Sequence, residues 1–220
     1  FLVPTLRREW GGCAGNIAYN LAQLGARASV AAAVGADGRD YVERLRGMAL
    51  DVDAILVDEG TNTAQAFIIT DRDNNQISAF HPGAMSEAHR IAWSPKGISL
   101  GIVGPDGRDA MLVRAHQFAD ARVPFVFDPG QGLPMFDGAD LRGFMTQASW
   151  VAVNDYEAQM LSQRAGASIE ELSHMPNLRG IIVTLGVEGC EVWQQGVCVR
   201  VRPVPAADVI DPTGCGDAFR

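Results

Sequence analysis

The sequence carries no cluster of basic residues, no paired cysteines and no apolar run long enough to span a bilayer. Each absence excludes a class of protein. With a formal net charge of −8 and no local basic excess, the chain offers little to the phosphate backbone of a nucleic acid. The cysteines at 13, 190, 198 and 215 form no C-x-x-C pair, which removes a zinc site, and they suit reduced thiols in a cytoplasm. No signal-peptide pattern precedes the first element, and no membrane partner is expected. What is present is ordinary for a soluble globular domain: 220 residues, 47% hydrophobic and 20% charged. The chain begins at Phe1 and stops at Arg220, directly after a glycine-rich turn that opens a helix, so a domain truncated at both ends is expected.

Helical and strand-like segments alternate. Residues 14–24 place Ile17, Ala18, Leu21 and Leu24 at helical spacing, closed by Gly25. Residues 29–34 form a short apolar run, and 38–50 a second amphipathic helix. Further apolar runs at 98–103, 124–127, 150–153 and 180–184 alternate with helical patterns at 109–122, 139–147 and 155–164. Buried strands separated by helices predict a mostly parallel sheet in an α/β fold covered on both faces. Two stretches break that rhythm. Residues 65–70 and 76–80 flank a polar turn, and 190–194 and 197–201 flank Gln195-Gly196, each predicting a hairpin. The first hairpin is either a lid over a site or an edge ornament.

The chemistry concentrates at the two ends. Near the C-terminus runs Asp211-Pro212-Thr213-Gly214-Cys215-Gly216-Asp217. Gly214 and Gly216 let the backbone turn tightly and aim consecutive N–H groups into one small space, and at a helix start those donors suit a phosphate oxygen. Asp217 then places a carboxylate beside the same space. Donors for a migrating phosphoryl group and a base for an alcohol proton are what phosphoryl transfer needs. Spacing alone is better met by a glycine turn with Asp217 as a helix cap. Near the N-terminus, Gly11 and Gly12 allow close approach to the main chain, and Asn16 offers a donor and an acceptor to hydroxyls. Common turn chemistry also explains that cluster. It is no Walker A loop, because the Lys-Ser/Thr ending is absent.

These segments resemble the signatures of the PfkB, or ribokinase-like, kinase family. The C-terminal run resembles the family's D-T-T-G-A-G-D, with Pro212 and Cys215 replacing a threonine and an alanine. Gly11-Gly12-Cys13-Ala14-Gly15-Asn16 resembles G-G-x-x-x-N. Between them, Asn154-Asp155-Tyr156-Glu157 matches N-x-x-E, and Thr184-Leu185-Gly186-Val187-Glu188-Gly189 resembles the T-x-G-x-x-G loop that borders ATP. The resemblance spans nearly the whole chain, with four motifs in family order. It implies a three-layer α/β/α ribokinase-like fold with a small β lid. Residues 1–220 would be a partial kinase domain, with lid strands around 1–9 and 62–82.

The resemblance assigns Asp217 as catalytic base and Gly214, Cys215 and Gly216 as an anion hole. Gly11, Gly12, Asn16 and Phe80 would bind substrate. Asn154, Glu157, Thr184, Gly186 and Gly189 would bind ATP. Glu157 would hold Mg²⁺ through water, and Asp211 and Thr213 would contribute to a monovalent cation site, K⁺ in kind. Asp128-Pro129-Gly130 closes a strand on the ligand side of such sheets, though a strand-ending turn explains it as well. His81 is expected to be a turn residue, and Cys215 is explained by the glycine turn rather than as a nucleophile. The hairpin and the 128–132 segment look most like bacterial adenosine-kinase-like members. The expected activity is therefore transfer of the ATP γ-phosphate to the 5′-hydroxyl of adenosine or a similar nucleoside. A ribokinase- or fructokinase-like sugar kinase is the alternative, and a non-catalytic nucleotide- or sugar-binding protein on the same fold is an alternative of another class. Homodimerisation through the lid is a family habit, and the chain ending at Arg220 is expected to be poorly active by itself.

Overall fold

The computed structural model describes residues 3, 5–71, 75–208 and 213–220. Helix α1 (Cys13–Gln23) leads into strand β1 (Ala32–Gly35), helix α2 (Arg39–Gly47) and strand β2 (Ile55–Asp58), which pairs with β1 in parallel. Strands β3 (Gln65–Thr70) and β4 (Gln76–His81) form the expected antiparallel hairpin, Phe67 opposite Ala79 and Ile69 opposite Ile77. A 3₁₀ segment, Gly83–Arg90, follows it.

The main sheet is built from β5 (Gly101–Val103), β6 (Phe125–Phe127), β7 (Trp150–Asn154), β8 (Gly180–Thr184), β9 (Cys190–Gln194) and β10 (Val197–Val201), neighbours in that order. Strands β5 to β8 are parallel, and β9 and β10 close one edge antiparallel. Their crossovers carry α3 (Arg108–Asp120), α4 (Gly138–Gln147), α5 (Asp155–Ala165) and the single turn α6 (Ile169–Leu172). Sequential right-handed crossovers put successive helices on one face, and α3 indeed packs on α4 and α4 on α5. The short helix α7 (Cys215–Phe219) packs on α1.

The parallel strands are short and apolar because both their faces are covered; Val151, Val153 and Ile181 are fully buried. Around them Phe127 stacks on Phe144, and Phe136 meets Phe144 edge-on. A second apolar group is made of small residues. Ala33 and Ala54 meet Ala84, Ala88 and Ala110, letting the 3₁₀ segment lie close to β1 and joining the small sheet to α3. Arg114 seals that joint by donating to the carbonyls of Ala88 and Ile91.

The hairpin has a fixed hinge. Asp37 Oδ1 accepts from both the backbone N–H and the hydroxyl of Thr63, at 2.7 and 2.8 Å, and Gln65 donates to its other oxygen. Those bonds hold the Asp37 carboxyl below its usual range. The strands expected around 1–9 do not form among the described residues there; residue 3 and residues 5–9 have no ladder partner. Strand β2, the 3₁₀ segment and α6 are additions to the expected elements.

Candidate active site

Three strand ends meet on one edge of the parallel sheet. Asp128 follows β6, Asn154 ends β7 and Thr184 ends β8, with Asn154 directly opposite Thr184. In open α/β sheets this carboxyl edge is where ligands bind. Asn154 caps α5 and accepts from the N–H of Glu157 at 2.8 Å, while Glu157 accepts from the N–H of Asn154 at 2.9 Å. The N-x-x-E pattern is thus realised as a complete capping box, which fixes the Glu157 carboxylate at the edge. After Thr184 the chain turns through Gly186 and Gly189. A side chain at Gly189 would come within 2.1 Å of the Val201 carbonyl, so this turn requires glycine.

The two terminal motifs converge on the same region. Gly12 caps α1 with φ 93°, and Gly214 caps α7 in the left-handed region, φ 78°. Each starts a helix whose first amides have no acceptor within the helix. Asn16, in α1, donates its side-chain amide to Asp217 Oδ2 at 2.8 Å. This one bond joins residues at opposite ends of the sequence and aims the half-buried Asp217 carboxylate at the glycine-pair helix rather than along its own. The Gly11–Gly12 strap is fixed from outside by Tyr41, whose hydroxyl donates to the Gly11 carbonyl at 2.8 Å. Tyr41 lies so close over Gly15 that a methyl there would meet its hydroxyl at 2.1 Å. Trp10 stacks on that ring.

Beneath the Gly214–Gly216 turn lie Arg220, to which the sequence gives no role, and Asp128, for which it leaves a ligand-side place or a strand-ending turn open. Arg220 reaches back under Gly216, where a methyl would stand 2.8 Å from its Nη1. Its side chain is 9% exposed; Nε pairs with Asp128 Oδ2, and Nη2 lies 3.8 Å from Glu157 Oε2. Asp128 is 2% exposed and its Oδ1 has no hydrogen-bond partner. Burial pushes its carboxyl up to about 7, with Glu157 acting in the same direction and Arg220 opposing it. Cys13 sits beside Asp217; burial and then that carboxylate push its thiol up to about 12, so it stays protonated and donates to Asp217. Asp106, between β5 and α3, is a missed acid. Burial raises its carboxyl to about 6 against the opposing pull of the Gly107 N–H.

Not every expected residue joins this cluster. Phe80 stays 59% exposed on the hairpin face shared with Ala66 and Ile68, and His81 is exposed opposite Gln65. Thr213 is exposed, and Asp211 lies outside the described residues. All four cysteines are free thiols. Among the described residues no three acidic, cysteine or histidine side chains form a metal cage. Glu157 and the unpartnered oxygen of Asp128 are the donors present, which fits a hydrated Mg²⁺ shared with phosphates rather than a protein-enclosed ion. No helix among the described residues is long and apolar enough to cross a membrane.

Comparison with known proteins agrees with this geometry. The nucleoside kinase of Methanocaldococcus jannaschii is 28% identical over 221 residues, covering 99% of this chain and 72% of that protein. A Burkholderia thailandensis nucleoside kinase solved with inosine is 47% identical, with a TM-score of 0.92 over all of this chain and 74% of that one. The same kinase has been solved with ADP-inosine, at a TM-score of 0.89 over 69% of its chain. A Cryptococcus neoformans ribokinase in complex with ADP shares the fold, at 24% identity and a TM-score of 0.78 over 95% of this chain and 73% of that one. The pfkB family carbohydrate kinase pattern matches residues 2–220. With four motifs converging on one sheet edge and a match along almost its full length, the chain belongs to the pfkB family of carbohydrate kinases, phosphotransferases that act on the alcohol group of a sugar or nucleoside.

Proposed function

We propose that this protein transfers the γ-phosphoryl group of ATP to the 5′-hydroxyl of a purine nucleoside, with adenosine the leading candidate. The observation that carries this is the 2.8 Å bond between Asn16 and Asp217, which joins the carboxylate of the C-terminal motif to the helix that follows the glycine pair of the N-terminal one. The choice of nucleoside over simple sugar rests on the 47% identity to the B. thailandensis enzyme and its inosine complex.

The chemistry follows from the residues. The acceptor hydroxyl lies between Asp217 and the Gly11–Gly12 strap. Asp217 takes its proton as the new O–P bond forms and the bond from phosphorus to the bridging oxygen of ADP breaks. Backbone N–H groups of Gly214, Cys215 and Gly216 receive the charge on the migrating phosphoryl oxygens. Asn154, Glu157, Thr184, Gly186 and Gly189 border the nucleotide. Glu157 would hold Mg²⁺ through water, and the ion would supply charge neutralisation to the phosphates when bound. A monovalent cation would take the Thr213 carbonyl and Asp211. Phe80 reaches the base only if the hairpin folds over the site, and stacking there favours a purine over a bare sugar.

The test is a coupled ATP-consumption assay on the full-length protein with adenosine, inosine, ribose and fructose. Turnover of the nucleosides is expected; turnover of sugars alone would replace the nucleoside assignment with a sugar kinase. Asp217→Asn is expected to lower kcat by several orders of magnitude while nucleoside binding persists. If this variant kept full turnover, Asp217 would not be the base.

A further inference from the structure

Three acids crowd the glycine turn: Asp217 within it, and Asp128 and Glu157 below. A triphosphate brings four more negative charges to such a place. Backbone amides and a metal ion would balance part of that charge, and a fixed positive charge beneath the turn would balance more. Among the described residues, the basic side chain paired with this group is Arg220, folded under Gly216 and nearly buried. Its guanidinium touches Asp128 and approaches Glu157, so it joins the 128–130 turn, the start of α5 and the glycine turn in a single ion-paired unit.

We propose that Arg220 is a positioning residue for nucleotide binding: a fixed counter-charge beneath the glycine turn that neutralises Asp128 and Glu157 and so lets the phosphates approach, without itself contacting them. This rests on the assignment of the turn as the phosphate site. Nearly buried between carboxylates, the guanidinium is held below the turn by its ion pair with Asp128 and its approach to Glu157. It therefore acts through the local potential. The same reasoning gives opposite signs for anions and cations. Losing the guanidinium weakens nucleotide binding and strengthens binding of a divalent cation to the two freed carboxylates. A purely structural role would weaken both.

The experiment measures ADP binding to the full-length protein by calorimetry at pH 8 without divalent metal, and Mn²⁺ binding to the nucleotide-free protein by electron paramagnetic resonance. In Arg220→Met, ADP affinity is expected to fall on the order of tenfold, as for one unit charge removed several ångström away, and Mn²⁺ affinity to rise. In the double variant Arg220→Met with Asp128→Asn, the charge balance returns and ADP affinity recovers to within about threefold of wild type. Unchanged ADP affinity in the single variant, or Mn²⁺ affinity that stays level or falls, overturns the proposal. A double variant that binds ADP tenfold more weakly than wild type also overturns it, because Arg220 would then act on the phosphates directly. If the single variant does not fold, the double variant decides alone by the same criterion. A wild-type protein that binds no ADP removes the phosphate site itself, an outcome distinct from a wild type that binds and a single variant that binds equally well.

Discussion

Replacing Asn16 by Ala separates two roles that its position allows, gripping substrate and holding the base. In the structure its amide donates to Asp217 Oδ2 at 2.8 Å, in a half-buried setting. A hydrogen bond to a charged group in such a place is worth about 1.5–3 kcal/mol. If that bond orients the carboxylate during proton transfer, its loss lowers kcat by roughly tenfold to a hundredfold, at about 1.4 kcal/mol per tenfold. Folding should be spared. The backbone N–H of Asn16 stays bonded to the Gly12 carbonyl, and Ala is a better helix former than Asn. The assay is steady-state ATP consumption on the full-length protein, with nucleoside varied at saturating ATP and thermal unfolding run alongside. The expected result is a kcat deficit exceeding any rise in KM, at near-normal stability. Asn16→Asp is expected to be worse still, since it sets two carboxylates at hydrogen-bond distance. A wild-type kcat with only KM raised would refute the base-orienting role and leave Asn16 as a substrate ligand.

Other perturbations probe the surroundings. Gly15→Ala drives a methyl into the Tyr41 hydroxyl, which must then leave the Gly11 carbonyl; nucleoside KM is expected to rise severalfold, and Tyr41→Phe to give a milder form of the same defect. Asp106 has a carboxyl raised from 3.8 to about 6, so the neutral form is the one the fold prefers. Its contribution is fully present below about pH 4 and is lost as pH rises through about 6, worth roughly 3 kcal/mol in all. Denaturation of wild type and Asp106→Asn at pH 4 and 8 should therefore show the variant gaining relative stability at the higher pH, and a pH-independent difference would disprove the shift. Phe144→Ala empties the place between Phe127 and Phe136 in the core, and its unfolding free energy in denaturant should fall by about 3–5 kcal/mol with an unchanged slope.

What the sequence made legible and what it hid divide along the range of the interactions involved. Strand β8 and the 190–201 hairpin were readable to the residue, because an uninterrupted apolar run and a Gln-Gly turn are local signals. Strand β2 was not. Its four residues follow Asp51 and Asp53 and are all only half-buried, so they show neither the alternation of an open strand nor the long run of a buried one. At the site, the glycine pairs, Asn16, Asp217 and Glu157 were recognisable because their motifs are contiguous. Even so, spacing could not choose between cap and catalyst, and at Glu157 the structure shows the cap fully formed. Arg220 and Cys13 carry no such signal, and Asp128 shows only its place after a strand. Each became notable only when folding set it against a carboxylate from a distant segment. A charged side chain is anonymous in a sequence whose surface is full of them; burial is what gives it a role, since an ion removed from water must find its partner in the protein. The electrostatic half of this site is therefore a property of the fold, whereas its backbone half was already written in the glycines.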